Sequence, residues 1–221
     1  MNNNNDQKYN EAYVAGKVAV ARHFQDQTYQ GKRSADRLPP GQHIIDERFP
    51  VLDLGIQPEF EPDKWKLTVY GEVENPMVFG WQDFLKLPKS GLTADFHCVT
   101  RWSKYDVKWA GVRFVDLLQL VRPKNSAKFV IAESADGYTT NNLFSDMNKE
   151  NVLLAYELEG NSIPKEHGWP VRVIIPHLYA WKGAKFLNGL VFTPIDHPGF
   201  WETRGYNNHG DPWLEERYSN E

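Results

Sequence analysis

The sequence predicts an α+β fold, a single domain of mixed β-sheets with a few short helices. Three observations predict it. Short segments with period-two alternation outnumber helical ones, and their spacing is too irregular for repeated βαβ units. Apolar residues make up 41% and aromatic residues 14% of 221 positions, enough for a sizeable core. A chain of this size buries roughly 70% of the surface its unfolded form exposes, so it needs no disulfide framework. With one cysteine, it cannot form a disulfide within the chain.

Lys8 to Tyr29 mixes Ala, Tyr and Val with Lys, Glu, Gln and Arg and contains no proline, the pattern of a surface helix. Arg33 to Pro62 turns irregular, because Pro39-Pro40-Gly41, Phe49-Pro50 and Gln57-Pro58 remove donors and restrict the residues before them. A stretch of about thirty such residues is long for a connection, and it is expected to wrap the domain or contribute to a site. The chain accordingly divides into residues 1–48, a helix and a wrapping segment, and residues 49–221, the main domain.

Trp65, Leu67 and Val69 alternate with Lys66 and Thr68 in a half-buried strand, and Val73-Glu74-Asn75-Pro76 turns out of it. Trp81 to Leu87 reads as a short helix stopped by Pro88. Leu92, Ala94, Phe96 and Cys98 alternate with Thr93, Asp95 and His97, so the cysteine closes a strand on its apolar side. Gly111 to Val121 places Val112, Val115, Leu117 and Leu118 at helical spacing before Arg122-Pro123. Lys128 to Glu133 returns to a strand, and further strands are expected at Tyr138 to Asn142, Val152 to Leu158, Val171 to Pro176 and Leu187 to Thr193. The tail from Pro194 is dense in aromatic residues and is expected to pack back onto the domain.

The net charge of −4 comes from 29 acidic and 25 basic residues mixed along the chain, without the basic face that a phosphate backbone requires. Nucleic acid is excluded as a partner on that ground. No apolar run reaches the roughly 20 residues of a membrane span. The polar start, Met1 to Asp6, leads into no signal-peptide apolar region or twin-arginine leader, which predicts a cytoplasmic protein.

Cys98 is a packing residue, a nucleophile or a single thiolate ligand to a soft metal. His97 neighbours it in sequence, but adjacent strand residues face opposite ways, so the two make a poor catalytic pair. Arg101 is placed to supply a cationic field. The seven histidines lack the spacings of a zinc site, with His97, His167 and His177 far apart. A metal whose other ligands arrive on an organic cofactor needs only one protein thiolate. A second region, Pro164 to Lys185, brings His, Arg, Gly and Lys to the ends of an apolar strand, a composition that cradles phosphate or else marks solvated surface.

Together these segments resemble the molybdopterin-binding domain of the sulfite oxidase family, and in particular its short bacterial and archaeal members and the catalytic subunit of periplasmic methionine sulfoxide reductase. The resemblance is carried by Phe96-His97-Cys98-Val99-Thr100-Arg101-Trp102-Ser103, Val107-Lys108-Trp109-Ala110-Gly111-Val112, Ser134-Ala135-Asp136-Gly137-Tyr138-Thr139-Thr140, Leu153-Leu154-Ala155-Tyr156-Glu157 and His167-Gly168-Trp169-Pro170-Val171-Arg172, in that order. It implies a molybdenum–molybdopterin cofactor, or its tungsten counterpart, with Cys98 as the thiolate ligand. It further implies that His167 and Arg172 bind the pterin and its phosphate and that Gly183, Ala184 and Lys185 line the phosphate end. Ser134 and Asp136 would touch the cofactor from a neighbouring strand end, with Arg48 and Phe49 contributing from the early irregular segment.

The implied reaction is two-electron oxygen-atom transfer on a small S-oxo or N-oxo compound, with Arg101 orienting the substrate and Tyr179 or Tyr206 donating a hydrogen bond near the metal. Val99-Thr100-Arg101-Trp102 differs from the small residues and paired arginines that follow the cysteine in sulfite oxidases proper, which points away from sulfite. The chain has no haem, flavin or iron–sulfur motif, so electrons pass through a separate donor or acceptor protein or a small carrier. The competing reading is a non-catalytic molybdopterin-binding or carrier protein.

Overall fold

Two mixed sheets packed around a shared apolar interior carry the fold. The computed structural model describes residues 9–25, 37–46 and 48–219. In chain order the elements are α1 (Glu11–Gln25), β1 (His43–Ile44), β2 (Lys66–Gly71), β3 (Met77–Gly80), α2 (Trp81–Phe84), β4 (Lys89–His97), β5 (Trp102–Arg113), α3 (Phe114–Val121), β6 (Phe129–Ser134), β7 (Thr139–Leu143), α4 (Phe144–Met147), β8 (Leu153–Leu158), β9 (Asn161–Ser162), β10 (Arg172–Ile174) and β11 (Leu187–Thr193).

The first sheet is organised by β5. Strand β4 lies antiparallel along it, from Lys89 opposite Val112 to His97 opposite Ser103. Its other edge takes β1 in parallel at Trp102 and Ser103 and β8 antiparallel at Trp109 to Arg113, and β8 passes on to β10. The second sheet runs β3-β2-β11-β6-β7, with only β2 and β11 parallel. The period-two reading of β2 corresponds to burial: Trp65, Leu67 and Val69 are enclosed, with Lys66 and Tyr70 outside. Val112 and Leu154 of the first sheet share one core with Leu67, Val130 and Leu190 of the second.

Two elements depart from the sequence expectations. The helix expected from Gly111 begins at Phe114, because Gly111 and Val112 belong to β5. A Cβ at Gly111 would stand 2.1 Å from the Leu154 carbonyl oxygen, so this glycine permits the close pairing of β5 with β8. The buried helical stripe is then Phe114, Leu117, Leu118 and Val121, and Val115 turns outward. Second, Met77–Gly80 forms a strand beyond the turn at Asn75-Pro76. The expected surface helix is present as α1 from Glu11 to Gln25, and its residues 26–29 lie outside the described residues. No helix among the described residues is long and apolar enough to cross a membrane.

The tail folds back as composition suggested. Phe200, Trp201, Tyr206 and Tyr218 are buried, and Tyr206 bridges to Tyr218. Phe200 meets Tyr9 ahead of α1 edge-to-face at 5.1 Å.

Candidate functional site

Cys98 stands in the turn between β4 and β5 and lines a cleft with about 80 Å³ of free volume. The turn closes on itself: Cys98 N donates to Trp102 O at 2.9 Å, and Arg101 N donates to Cys98 O at 3.1 Å. His97 does face away from the thiol, with its Nδ1 2.8 Å from the Ser103 hydroxyl on the other strand. Burial, with the Asp95 charge opposing it, pushes His97 down to about 4, so it is neutral near pH 7. The Cys98 thiol is 3.2 Å from Thr100 Oγ1. Burial raises its pKa, and the Thr100 hydrogen bonds and the Arg217 charge work against that rise.

The cationic part of the lining comes from one stretch, His167 to Lys185, and Asp53 and Asp136 add two carboxyls from elsewhere. Arg172 opens β10, 4% exposed, with its guanidinium over the rings of Phe96 and Trp109 at 5.4 and 5.3 Å. One Nη donates to the His167 carbonyl at 2.9 Å, while Nε is buried without a hydrogen-bond partner among the described residues. Burial pushes Arg172 down to about 9. Lys185 Nζ donates to Glu166 O at 2.8 Å, and burial, reinforced by Arg172, pushes it down to about 7. Neither cation forms an ion pair among the described residues, which is an unfavourable arrangement for buried charge unless an anion completes it. The His167 ring packs on Phe49 at 4.5 Å and is pushed down to about 4 by burial and by these two cations. Gly183 lets the chain pass closely, since a Cβ there would meet Val173 O at 2.5 Å. Asp136, beside Tyr138 on the same cleft, accepts the Tyr138 amide at 3.0 Å and is raised by burial to about 6.

Of the residues singled out from sequence, Phe49, Cys98, Asp136, His167, Arg172, Gly183 and Lys185 line this one cleft. Four others are not in its lining. Arg48 is exposed while its neighbour Phe49 turns inward. Ser134 ends β6 with a buried, unpartnered hydroxyl. Ala184 is fully enclosed, and its carbonyl accepts Val173 N. Arg101 adopts φ +70° and points toward Gly41 and the tail. Lys182, the other lysine of the expected phosphate cradle, is sequestered by Glu202 at 2.7 Å inside the core. The strap Pro50 to Leu54 lines the cleft after Phe49, as expected of the irregular stretch, though its residues were not named individually, and sequence reasoning missed the aromatic walls Trp102, Trp181 and Trp201. The prolines that break regular structure were the only signal for the strap.

The donor set fits a cofactor that combines a soft metal with an anionic group. Among the described residues no three His, Cys, Asp or Glu side chains gather as a metal-binding group. Cys98 would therefore act as a single thiolate beside ligands carried by the cofactor. Arg172, with no ion pair among the described residues and its Nε orphaned, fits a phosphate, and Lys185 stands in the same lining with Asp53 and Asp136 acting on it at longer range.

Residues 54–201 match the domain family described as oxidoreductase molybdopterin binding domain. The uncharacterized oxidoreductase YuiH of Bacillus subtilis is 43% identical over 196 residues, covering 86% of this chain and 98% of that protein. The protein-methionine-sulfoxide reductase catalytic subunit MsrP of Campylobacter jejuni is 25% identical, covering 71% of this chain and 58% of that one. Its counterpart in Burkholderia mallei is 29% identical, with coverage of 67% and 50%. This chain thus spans little more than half the length of those two reductases. Among solved structures, the sulfane dehydrogenase SoxCD of Paracoccus pantotrophus superposes with a TM-score of 0.56 at 24% identity, over 64% of this chain and 41% of that one, which shows the shared fold.

Proposed function

The chain belongs to the oxidoreductase family built on the molybdopterin-binding domain, and from that premise we propose that it catalyses two-electron oxygen-atom transfer on a small S-oxo or N-oxo compound, with Cys98 as the protein's ligand to molybdenum. The observation that carries this reading is the pairing, in one cleft, of the lone cysteine with the buried Arg172 and the half-buried Lys185, neither of which forms an ion pair among the described residues.

When bound, the cofactor supplies two-electron redox chemistry and oxygen exchange with water. Arg172 and Lys185 hold its phosphate, His167 and Phe49 flank the pterin, and Gly183 lets the backbone approach. Asp136, raised to about 6 by burial, is mostly ionised at neutral pH and takes up a proton just below it, on the carboxyl oxygen not engaged by the Tyr138 amide. Reducing a sulfoxide or N-oxide consumes two electrons and two protons and releases water, so a separate donor protein or small carrier supplies the electrons. The sulfoxide reductases named above favour an S-oxo substrate.

The test uses protein produced in a host that makes the pterin cofactor, reduced chemically and then mixed with ¹⁸O-labelled sulfoxides or N-oxides. The expected result is reoxidation in step with formation of sulfide or amine and labelled water. Retained cofactor with a spectrum indifferent to every oxidant and reductant would replace the enzyme by the carrier reading.

A further inference from the structure

We propose that Arg217 is a positioning residue for the Cys98 turn. Reaching in from the C-terminal tail, its guanidinium ties that turn to Pro40 and to Tyr179, and so fixes where the thiol stands. The inference rests on Cys98 being the working thiolate.

The turn from Cys98 to Arg101 is held largely from outside. Arg101 sits in the left-handed region at φ +70°, which a side chain adopts only when its surroundings enforce it. The carbonyls of the turn are claimed by remote groups. Cys98 O accepts Gln42 Nε2 at 3.0 Å, Arg101 O accepts His43 N at 2.9 Å, and Val99 O accepts Arg217 Nη1 at 2.8 Å. The other Nη of Arg217 reaches Pro40 O at 3.2 Å, and the guanidinium lies over the Tyr179 ring at 4.9 Å.

Arg217 is 2% exposed, and Glu215 approaches it no closer than 3.8 Å. A cation this deeply buried is held by two carbonyls and a ring face. Only a planar fork can meet all three at once, which an ammonium group cannot. The approach also requires Gly41, at φ +67°. A Cβ there would stand 2.6 Å from Glu215 Oε1, 2.7 Å from Arg101 Nη1 and 3.3 Å from Arg217 Nη2. The tail that delivers Arg217 is anchored in turn: His209 lies 3.1 Å from Asp146 and 2.8 Å from Glu216, and Asn207 N donates to Arg217 O at 3.1 Å.

The experiment follows alkylation of Cys98 by iodoacetamide in the cofactor-free protein at one pH, with a melting temperature for each variant. The chain has a single cysteine, so the label reports on this turn alone. Arg217→Met and Gly41→Ala are expected to speed alkylation by about tenfold or more by letting the turn open locally, and Arg217→Lys nearly as much. Val130→Ala, a void in the other sheet, is expected to lower the melting temperature while the rate stays within about twofold of wild type. In cofactor-loaded protein, Arg217→Lys is expected to keep its molybdenum and displace the visible metal–thiolate band. An unchanged rate in Arg217→Met, full rescue by lysine, an equal rise in Val130→Ala or an unmoved band would each overturn the proposal. If Arg217→Met does not fold, Arg217→Lys and Gly41→Ala decide. The alkylation rates need no metal, so the positioning role and the assignment of Cys98 as ligand fail separately.

Discussion

The two functional parts of the cleft lining are assembled by opposite means. His167, Arg172, Gly183 and Lys185 come from one continuous stretch, and their cations are left without ion pairs among the described residues. The Cys98 turn is satisfied, but by groups 56 and 118 residues away, Gln42 and Arg217. The first part is unfavourable until an anion arrives, and so is built for binding. The second is held by protein groups before anything binds, although Gln42 Oε1 and Arg217 Nε are themselves buried without a hydrogen-bond partner among the described residues, and so suits positioning. On the proposed reading, cofactor binding and thiol positioning fall to different segments of the chain.

The sharpest way to break this contrast is Arg172→Met. Loss of a buried charged donor should weaken cofactor retention by at least ~30-fold, while removal of an unpaired buried cation should stabilise the cofactor-free protein by about 1 kcal/mol. Molybdenum content and denaturant unfolding check the two signs. A variant that is less stable yet keeps its cofactor would make Arg172 a structural residue.

Lys185 gives the next effect. Its folded pKa, pushed down to about 7 by burial and then by Arg172, lies below its ordinary 10.5. Between those values the unfolded chain binds more protons, so the cofactor-free fold should gain stability as pH rises above about 7. An anion needs the charged form. Sulfate, whose own charge is constant over the range, should therefore bind about tenfold more weakly at pH 8 than at pH 6, and Lys185→Met should flatten that dependence. Equal slopes in wild type and variant would remove Lys185 from the anion site.

The smallest effect concerns the tail. Hydrogen bonding to Asp146, opposed by burial and aided by Glu216, raises His209 above its ordinary 6.5. Burial would raise Asp146, but His177, His209 and Lys149 outweigh it and hold that carboxylate well below its usual range. The clamp is therefore fully present below pH 6.5 and is lost as pH rises through the elevated folded value. Limited proteolysis of residues 206–218 should accelerate toward alkaline pH relative to His209→Asn measured at the same pH. The same dependence in both proteins would place the control elsewhere.

What the sequence disclosed follows the same division. The cation stretch was readable because its residues are adjacent, and the strands Leu153–Leu158 and Leu187–Thr193 because burial on a sheet imprints apolar runs and alternation. Strand β5 escaped notice: Ser103 to Asp106 is polar, and only Val107 and Trp109 alternate before Gly111 breaks the pattern. Gln42 and Arg217 act on backbone carbonyls, which exist at every residue and leave no mark in the sequence at either partner. Arg48 and Arg101 were singled out for their nearness in sequence to Phe49 and Cys98, but a neighbouring side chain on extended or left-handed backbone points elsewhere.

The most direct measurement is elemental analysis and visible spectroscopy of wild type and Cys98→Ser, both purified from a host that makes the pterin cofactor. We expect near-stoichiometric molybdenum or tungsten in the wild type, and a variant that folds but lacks the thiolate-to-metal absorption. The same spectrum and metal content in both proteins would contradict Cys98 as the ligand and return it to the packed core.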